Sequence, residues 1–385
     1  MATSTNNKPS SLAFPLRKAE PAQSIDLLGE GGPIPERWKG VETRHKLGKD
    51  DLLFLYRQML LMRRFEERTG IEYRKGNIKG FCHLYIGQEA VAAGSIYALK
   101  PEDYVLTAYR DHAHALARNL TAREIMAEMF MRATGCSKGK GGSMHLFNAK
   151  ARMFGGHAIV GGQVPIATGI GFAIQYRNLR EVVVCYMGDA AVNQGVFHEA
   201  LNMASVWNCP CIFVVENNRY GMGTDIARSC AVTDFYRRTA EAYRIDGIRC
   251  DGMDVESFYS VMKEIADDCR ATRRPYFVEA ITYRYRGHSM SDPATTYRTQ
   301  DEVKQWEGSR DPIRTLERRH PELFPQEVID KFEAEVAAEV EDAVQFALAS
   351  PFPDLNEMFT DNYVDCPGYP GAEVSPNKYE YEYKA

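Results

Sequence analysis

Two short polar groups, each closely following an apolar run, carry the most chemistry in this sequence. Gly188-Asp189 comes after Val182-Val183-Val184-Cys185-Tyr186, and Glu216-Asn217-Asn218 after Cys211-Ile212-Phe213-Val214-Val215. Short β-branched apolar runs of this kind read as strands buried on both faces of a parallel sheet. Ligands of such sheets bind beyond the carboxyl ends of the strands. Asp189 and Asn218 are 29 residues apart, the length of one crossover helix and one strand, so both side chains are expected in one crevice. An aspartate carboxylate, an asparagine carbonyl oxygen and a backbone carbonyl just beyond are hard ligands that suit Mg²⁺ or Ca²⁺. Phosphate oxygens and water would complete such a shell. The N-terminus of the helix after Asp189 would offer N–H groups and a partial positive charge to that phosphate. Taken alone, Gly-Asp after a strand is more often a helix cap and Asn-Asn a turn. The pair together, at this spacing, favours the metal–phosphate reading.

The elements that must position these groups are legible in outline. Leu52, Leu55, Tyr56, Met59 and Met62 recur at helical spacing over 50–69, with Asp50 or Asp51 as the expected N-cap. Further helices are expected over Gln88–Leu99, Ala122–Met131 and Gln194–Trp207, and a long one carries Val328, Phe332, Val336, Val340, Val344 and Leu348. Strand, crossover helix and strand over 182–215 imply parallel pairing with a right-handed connection. Tyr276–Tyr283 is a later strand candidate, and Arg284–Thr299 reads as a polar loop. Residues 135–162 are dense in glycine, which marks backbone that turns tightly or approaches something closely. The expected division is an extended N-terminal arm over 1–47, one α/β domain over 48–350 and a C-terminal tail over 351–385.

Bulk properties exclude several classes. The chain has 385 residues, 44% hydrophobic and 26% charged, with net charge -5 and no block of like charge. Nothing there suggests a nucleic-acid or membrane-surface partner, and no apolar run approaches a membrane span. The nine cysteines are scattered, without zinc-ligand spacing, and read as buried reduced thiols. Residues 1–24 hold one arginine, Arg17, and lack the basic face of a transit peptide, so a disordered arm on a cytoplasmic protein is expected. Gly135 to Gly141 lacks the spacing, the Ser/Thr after lysine and the preceding strand of a P-loop. Gly169-Ile170-Gly171 lacks the third glycine of a dinucleotide fingerprint.

A Gly-Asp after a strand, with Asn-Asn nearly thirty residues on, is similar to the fingerprint of thiamine-diphosphate enzymes. Longer blocks narrow the likeness. Gly80-Phe81-Cys82-His83-Leu84-Tyr85-Ile86-Gly87-Gln88-Glu89-Ala90 resembles the pyruvate dehydrogenase alpha-subunit family. So do Ala108-Tyr109-Arg110, Gly139-Lys140-Gly141-Gly142-Ser143-Met144-His145, Glu216 to Thr224, and Tyr285-Arg286-Gly287-His288-Ser289-Met290-Ser291-Asp292-Pro293. The blocks are collinear over roughly residues 50–350.

The resemblance implies a three-layer αβα thiamine-diphosphate-binding fold with a mainly parallel sheet and helical extensions. It implies Mg²⁺ on Asp189, Asn218 and the Tyr220 carbonyl, and diphosphate contacts from Tyr109, Arg110 and His288. Backbone around Ala158, Val160, Ala190, Ala191 and Gly221 would pass close to the cofactor. His83 and His288 are the implied catalytic histidines, and Ser289 and Thr296 match phosphorylation sites of mitochondrial members. Implied partners are a beta subunit, in a two-alpha two-beta assembly, and the lipoyl domain of a dihydrolipoyl acetyltransferase. The beta subunit would bring the glutamate that activates the cofactor, since this chain has too little sequence after the loop for a second αβα domain. The implied reaction is oxidative decarboxylation of pyruvate. An acetoin or branched-chain 2-oxoacid relative, or a catalytically silent cofactor-binding subunit, is the alternative. One departure stands out: the fingerprint has glycine directly after the aspartate, and this chain has Ala190.

Overall fold

The computed structural model describes residues 36–361. Residues 1–35 of the expected arm and 362–385 of the expected tail lie outside the described residues. In chain order the elements are α1 (Lys49–Arg74), α2 (Glu89–Tyr97), β1 (Tyr104–Ala108), α3 (His112–Ala117), α4 (Ala122–Met129), β2 (Met153–His157), α5 (Gln163–Tyr176), β3 (Val183–Gly188), α6 (Gly195–Val206) and β4 (Cys211–Asn217). A two-residue ribbon, β5 (Tyr220–Gly221) and β6 (Thr224–Asp225), leads to α7 (Ile226–Ser229), α8 (Phe235–Tyr243), β7 (Asp246–Asp251), α9 (Val255–Thr272) and β8 (Tyr276–Ile281). Helices α10 (Gln300–Arg310), α11 (Pro312–Arg319) and α12 (Gln326–Ala349) follow.

Six strands form one parallel sheet in the order β2-β1-β3-β4-β8-β7. Side-chain alternation divides its two faces. Val184, Tyr186, Ile212, Val214, Val278 and Ala280 join a core with α1, α2, α4, α9 and α12. Val183, Cys185, Met187, Phe213, Val215 and Phe277 join a second core under α5, α6 and α8. Helices therefore cover both faces, giving the three-layer αβα arrangement expected, and β4 and β8 are buried along their whole length. The expected β3 and β4 pair in register from Val183↔Cys211 to Gly188↔Glu216, which sets Asp189 and Asn218 at the same edge.

The chain runs β1 to β2 in one direction across the sheet and β3 to β4 in the other. The gap between the carboxyl ends of β1 and β3 is thus the topological switch point, where open α/β sheets hold ligands. Tyr109-Arg110 leaves β1 and Asp189 leaves β3 on either side of it.

Helix α1 starts differently from expectation. Gly48 is its N-cap, and Asp51 reaches back to accept from the Gly48 N–H at 2.8 Å. Its buried face holds Leu52, Leu55, Tyr56, Met59, Leu60 and Phe65, each contributing about 1.5–3 kcal/mol by burial. Residues 36–45, expected as extended arm, dock on α9. Trp38 and Val41 are buried, Ser260 donates to the Val41 carbonyl at 2.5 Å, and Arg37 pairs with Asp246 and Asp268. Two apolar residues in a polar stretch are enough to tether it.

Asp103, fully buried before β1, ties three elements together. It accepts from the Lys100 and Val182 N–H groups and from both terminal nitrogens of Arg270 at 2.8–2.9 Å. Asp103→Ala removes the counter-charge of a largely buried guanidinium and the acceptor of the Val182 N–H, so urea denaturation should read a loss of about 3–5 kcal/mol.

Candidate functional site

Each strand end delivers part of one crevice. Asp189 opens a 3-10 turn (Asp189–Asn193) straight after β3 and is 1% exposed. Burial pushes its carboxyl up to about 6 against the pull of its own backbone N–H, the Arg284 charge and the Asn218 N–H. Its Oδ2 has no hydrogen-bond partner. A buried carboxylate oxygen without a partner favours binding of a cation or a proton.

Asn218, just past β4, is oriented by Gln88, whose Oε1 accepts from Asn218 Nδ2 at 3.2 Å. That contact leaves the Asn218 carbonyl oxygen, which meets only the Tyr220 N–H at 3.3 Å, as the free ligand atom. Arg219 and Met222 hold positive φ of 71° and 56° beside it, a backbone cost that clusters at ligand sites. The Tyr220 hydroxyl turns away to Glu302, so Tyr220 can offer the crevice only its backbone. Gly221 packs on Ala190, and a Cβ on Gly221 would lie 2.6 Å from the Ala190 methyl. Ala190 itself is exposed and has no positive φ, so the methyl that replaces the expected glycine introduces no backbone strain.

Opposite, Arg110 is 8% exposed and donates to the carbonyls of Leu84 at 2.6 Å and His288 at 2.8 Å. Arg284 is 1% exposed and donates to the carbonyls of Met222 and Arg286 and to the Tyr297 hydroxyl. Neither guanidinium has a carboxylate within ion-pair distance among the described residues. Burial and the neighbouring Arg284 charge depress the Arg110 pKa. Two buried cations left without an anion suit a diphosphate.

His83, Tyr109 and His288 gather beside them, with ring centroids 4.3 Å apart for His83–Tyr109 and 5.0 Å for His83–His288. Burial and then the Arg110 charge push His83 down to about 2, and the same two causes push His288 down to about 4. Both are therefore neutral imidazoles near pH 7, and His83 Nδ1 is buried without a partner. Ala158 and Val160 lie on the turn after β2, and Ala191 is a buried residue of the 3-10 turn. Ser289 is half-buried and 3.1 Å from the Ser291 hydroxyl, while Thr296 is exposed. Asp292 fixes their loop by accepting from the His288 N–H and the Tyr297 hydroxyl at 2.5 Å each.

Asp189, Asn218, Tyr109, Arg110, His83 and His288 thus converge as the sequence led us to expect. Gln88 and Arg284 were not anticipated. Both lie inside or beside the motif blocks, but only their burial marks them as more than surface polar residues.

The whole-chain comparisons agree with this geometry. A family model described as the dehydrogenase E1 component matches residues 57–356. This chain belongs to the dehydrogenase E1 component family. It is 48% identical over 321 residues to the pyruvate dehydrogenase E1 component subunit alpha of Rhizobium meliloti, covering 83% of this chain and 92% of that protein. It is 44% identical over 323 residues to the subunit of the same name from Rickettsia bellii, covering 83% and 98%. It is also 44% identical over 358 residues to the somatic mitochondrial form from Bos taurus, covering 92% and 87%.

The Asp189 pKa, raised from 3.8 to about 6, implies a stability cost in this E1-family chain. The charged form is disfavoured when folded, so the cost is absent below about pH 4 and fully present above about pH 6. Asp189→Asn should stabilise the ligand-free chain by about 2–3 kcal/mol at pH 7 and change little near pH 4, read by denaturation at both pH values.

Proposed function

We propose that this chain is the alpha subunit of a thiamine-diphosphate-dependent pyruvate dehydrogenase. It decarboxylates pyruvate oxidatively and passes the acetyl group to a lipoyl domain of a dihydrolipoyl acetyltransferase. The observation that carries the reading is the unpartnered, buried Asp189 carboxylate across one crevice from the unpaired guanidiniums of Arg110 and Arg284. A magnesium diphosphate complements both signs at once.

Asp189, the Asn218 carbonyl oxygen and the Tyr220 carbonyl hold Mg²⁺. Among the described residues no cluster of three His, Cys, Asp or Glu side chains is available to enclose a metal, which fits an ion whose shell is completed by phosphate and water. Tyr109, Arg110 and His288 take the diphosphate, with backbone from Ala158, Val160, Ala190, Ala191 and Gly221 alongside. When bound, thiamine diphosphate supplies the electron sink that decarboxylation of a 2-oxoacid needs. His83 and His288, held neutral by burial and the Arg110 charge, would each offer the substrate one hydrogen-bond donor and one acceptor as catalytic groups. The unpartnered Nδ1 of His83 supports a ligand-facing role for this residue.

The rest of the site belongs to a beta subunit, with two copies of each in the assembly. After β8 the described residues continue as a loop and the helices α10, α11 and α12. Helices α5 and α6 expose Ile166, Phe172, Tyr176, Met203, Val206 and Trp207, an apolar face of the kind subunits bury.

Two experiments test this reading. Co-purified with its beta subunit, the chain should reduce an artificial electron acceptor with pyruvate in preference to branched 2-oxoacids or acetoin. Turnover should require both thiamine diphosphate and Mg²⁺ and drop by about a hundredfold or more in Asp189→Ala. A preference for another substrate would move the assignment to the acetoin or branched-chain relatives, and no turnover at all would leave a silent subunit. Adding charge beside the diphosphate should repel it, so Ser289→Glu should lower turnover at least about tenfold, and full activity in that variant rules the repulsion out.

A further inference from the structure

We propose that Glu66 and His112 form a buried positioning pair that holds segment 82–86, which carries His83, against segment 109–112, which carries Arg110. The pair thereby sets the affinity of the crevice for its anionic ligand. The proposal rests on the thiamine-diphosphate reading above only for the identity of that anion.

Neither residue touches the crevice. Glu66 projects from α1 and is 1% exposed, and His112 opens α3 and is fully buried. The two Glu66 oxygens divide their work. One accepts from the backbone N–H of Tyr85 at 2.8 Å, and the other accepts from His112 Nδ1 at 2.9 Å. On the far side of the ring, His112 Nε2 donates to the Ser143 carbonyl at 2.9 Å, with the Ser143 hydroxyl at the same distance. Helix α1, the His83 segment, the Arg110 segment and the glycine-rich loop are therefore joined through two side chains.

Both ring nitrogens face acceptors, a carboxylate on one side and a carbonyl on the other. Only the imidazolium has an N–H for each. Burial by itself would push His112 down, but the Glu66 carboxylate, Asp111 and the Ser143 carbonyl outweigh it and hold it up at about 9. Facing the ring are Glu66 from α1, Asp111 from its own segment and Ser143 from the loop. From segment 82–86, His83 feels its charge. Burial pushes Asp111 up to about 6, and Glu66 is the carboxylate in direct contact with the ring.

Fold stability alone does not call for such a pair. Apolar residues of similar volume often serve a core as well as a buried ion pair or better. What an ion pair adds is directional: it fixes the two segments at one spacing, and it leaves an imidazolium two residues from Arg110. Residues that orient ligand-holding groups from behind commonly change affinity by about 10–100-fold when removed.

The test is calorimetric binding of thiamine diphosphate with Mg²⁺ to the full chain assembled with its beta subunit, between about pH 6.5 and 10. Wild type, Glu66→Gln and His112→Gln are compared, with thermal unfolding recorded for each. Wild-type affinity should hold up to about pH 9 and fall above it as the imidazolium is lost. Glu66→Gln should bind about tenfold more weakly at pH 7.5, with its alkaline limb moved down by at least about one pH unit, because only Asp111 and the Ser143 carbonyl then oppose burial. His112→Gln should bind weakly with no alkaline limb. Unchanged affinity in a folded variant, or weaker binding with the limb still near pH 9, overturns the proposal. Inorganic pyrophosphate is the second probe. If it shows the same variant and pH dependence while thiamine diphosphate does not bind, the cofactor assignment fails and the pair stands. If neither binds to wild type, both fail.

Discussion

Burying a charge in a protein costs several kcal/mol unless something compensates it. At the carboxyl edge of this sheet, between β1 and β3, the chain leaves that compensation unfinished. Asp189 has an oxygen with no partner, and Arg110 and Arg284 donate only to carbonyls and a hydroxyl. The two signs lie on opposite sides of one crevice, so they do not cancel each other by contact. A group carrying both a cation and an anion would compensate both signs at once. The sheet topology explains why the debt falls here: the switch point is the one place where loops from neighbouring strands diverge and leave room.

Asp103 and Glu128 show how this chain partners a buried carboxylate in full, whereas Asp111, like Asp189, keeps one oxygen without a partner. Asp103 accepts from two backbone N–H groups and a forked arginine. Glu128 accepts four N–H groups, from Ser137, Gly139, Gly141 and Gly142, at 2.7–3.2 Å. That convergence accounts for the glycine density around 135–142. The loop resembles a phosphate cradle because it is an anion nest, and the anion it holds is the chain's own glutamate. Glu66 and His112 then tie this loop to the two segments that carry Arg110 and His83.

Much of this was legible in the sequence, and the reasons for the rest are specific. Val182–Tyr186 and Cys211–Val215 are unbroken apolar runs because β3 and β4 are central strands, so the Asp189–Asn218 crevice followed from spacing. Helix α12 was plain from its four-residue valine repeat. Strand β2 was hidden because Gly155 and Gly156 interrupt it inside a glycine-rich stretch, and edge strand β7 because Asp246, Arg249 and Asp251 break its apolar pattern. Asp50 or Asp51 looked like an N-cap, but the backbone enters α1 one turn earlier, at Gly48. Arg284 and Gln88 escaped notice since a sequence does not say which arginine is buried. The φ of Ala190 likewise needed coordinates; it is not positive, so the alanine carries no backbone strain there.

The central claim is that Asp189 and Asn218 on one side, and Arg110 on the other, enclose a single magnesium diphosphate. The most direct test is a crystal structure of the chain with its beta subunit, grown with thiamine diphosphate and Mg²⁺. The account predicts a metal ligated by Asp189 and the Asn218 carbonyl oxygen, and phosphate oxygens within hydrogen-bond reach of Arg110 and His288. A cofactor bound with its diphosphate elsewhere, or a metal that leaves Asp189 Oδ2 unligated, would contradict it.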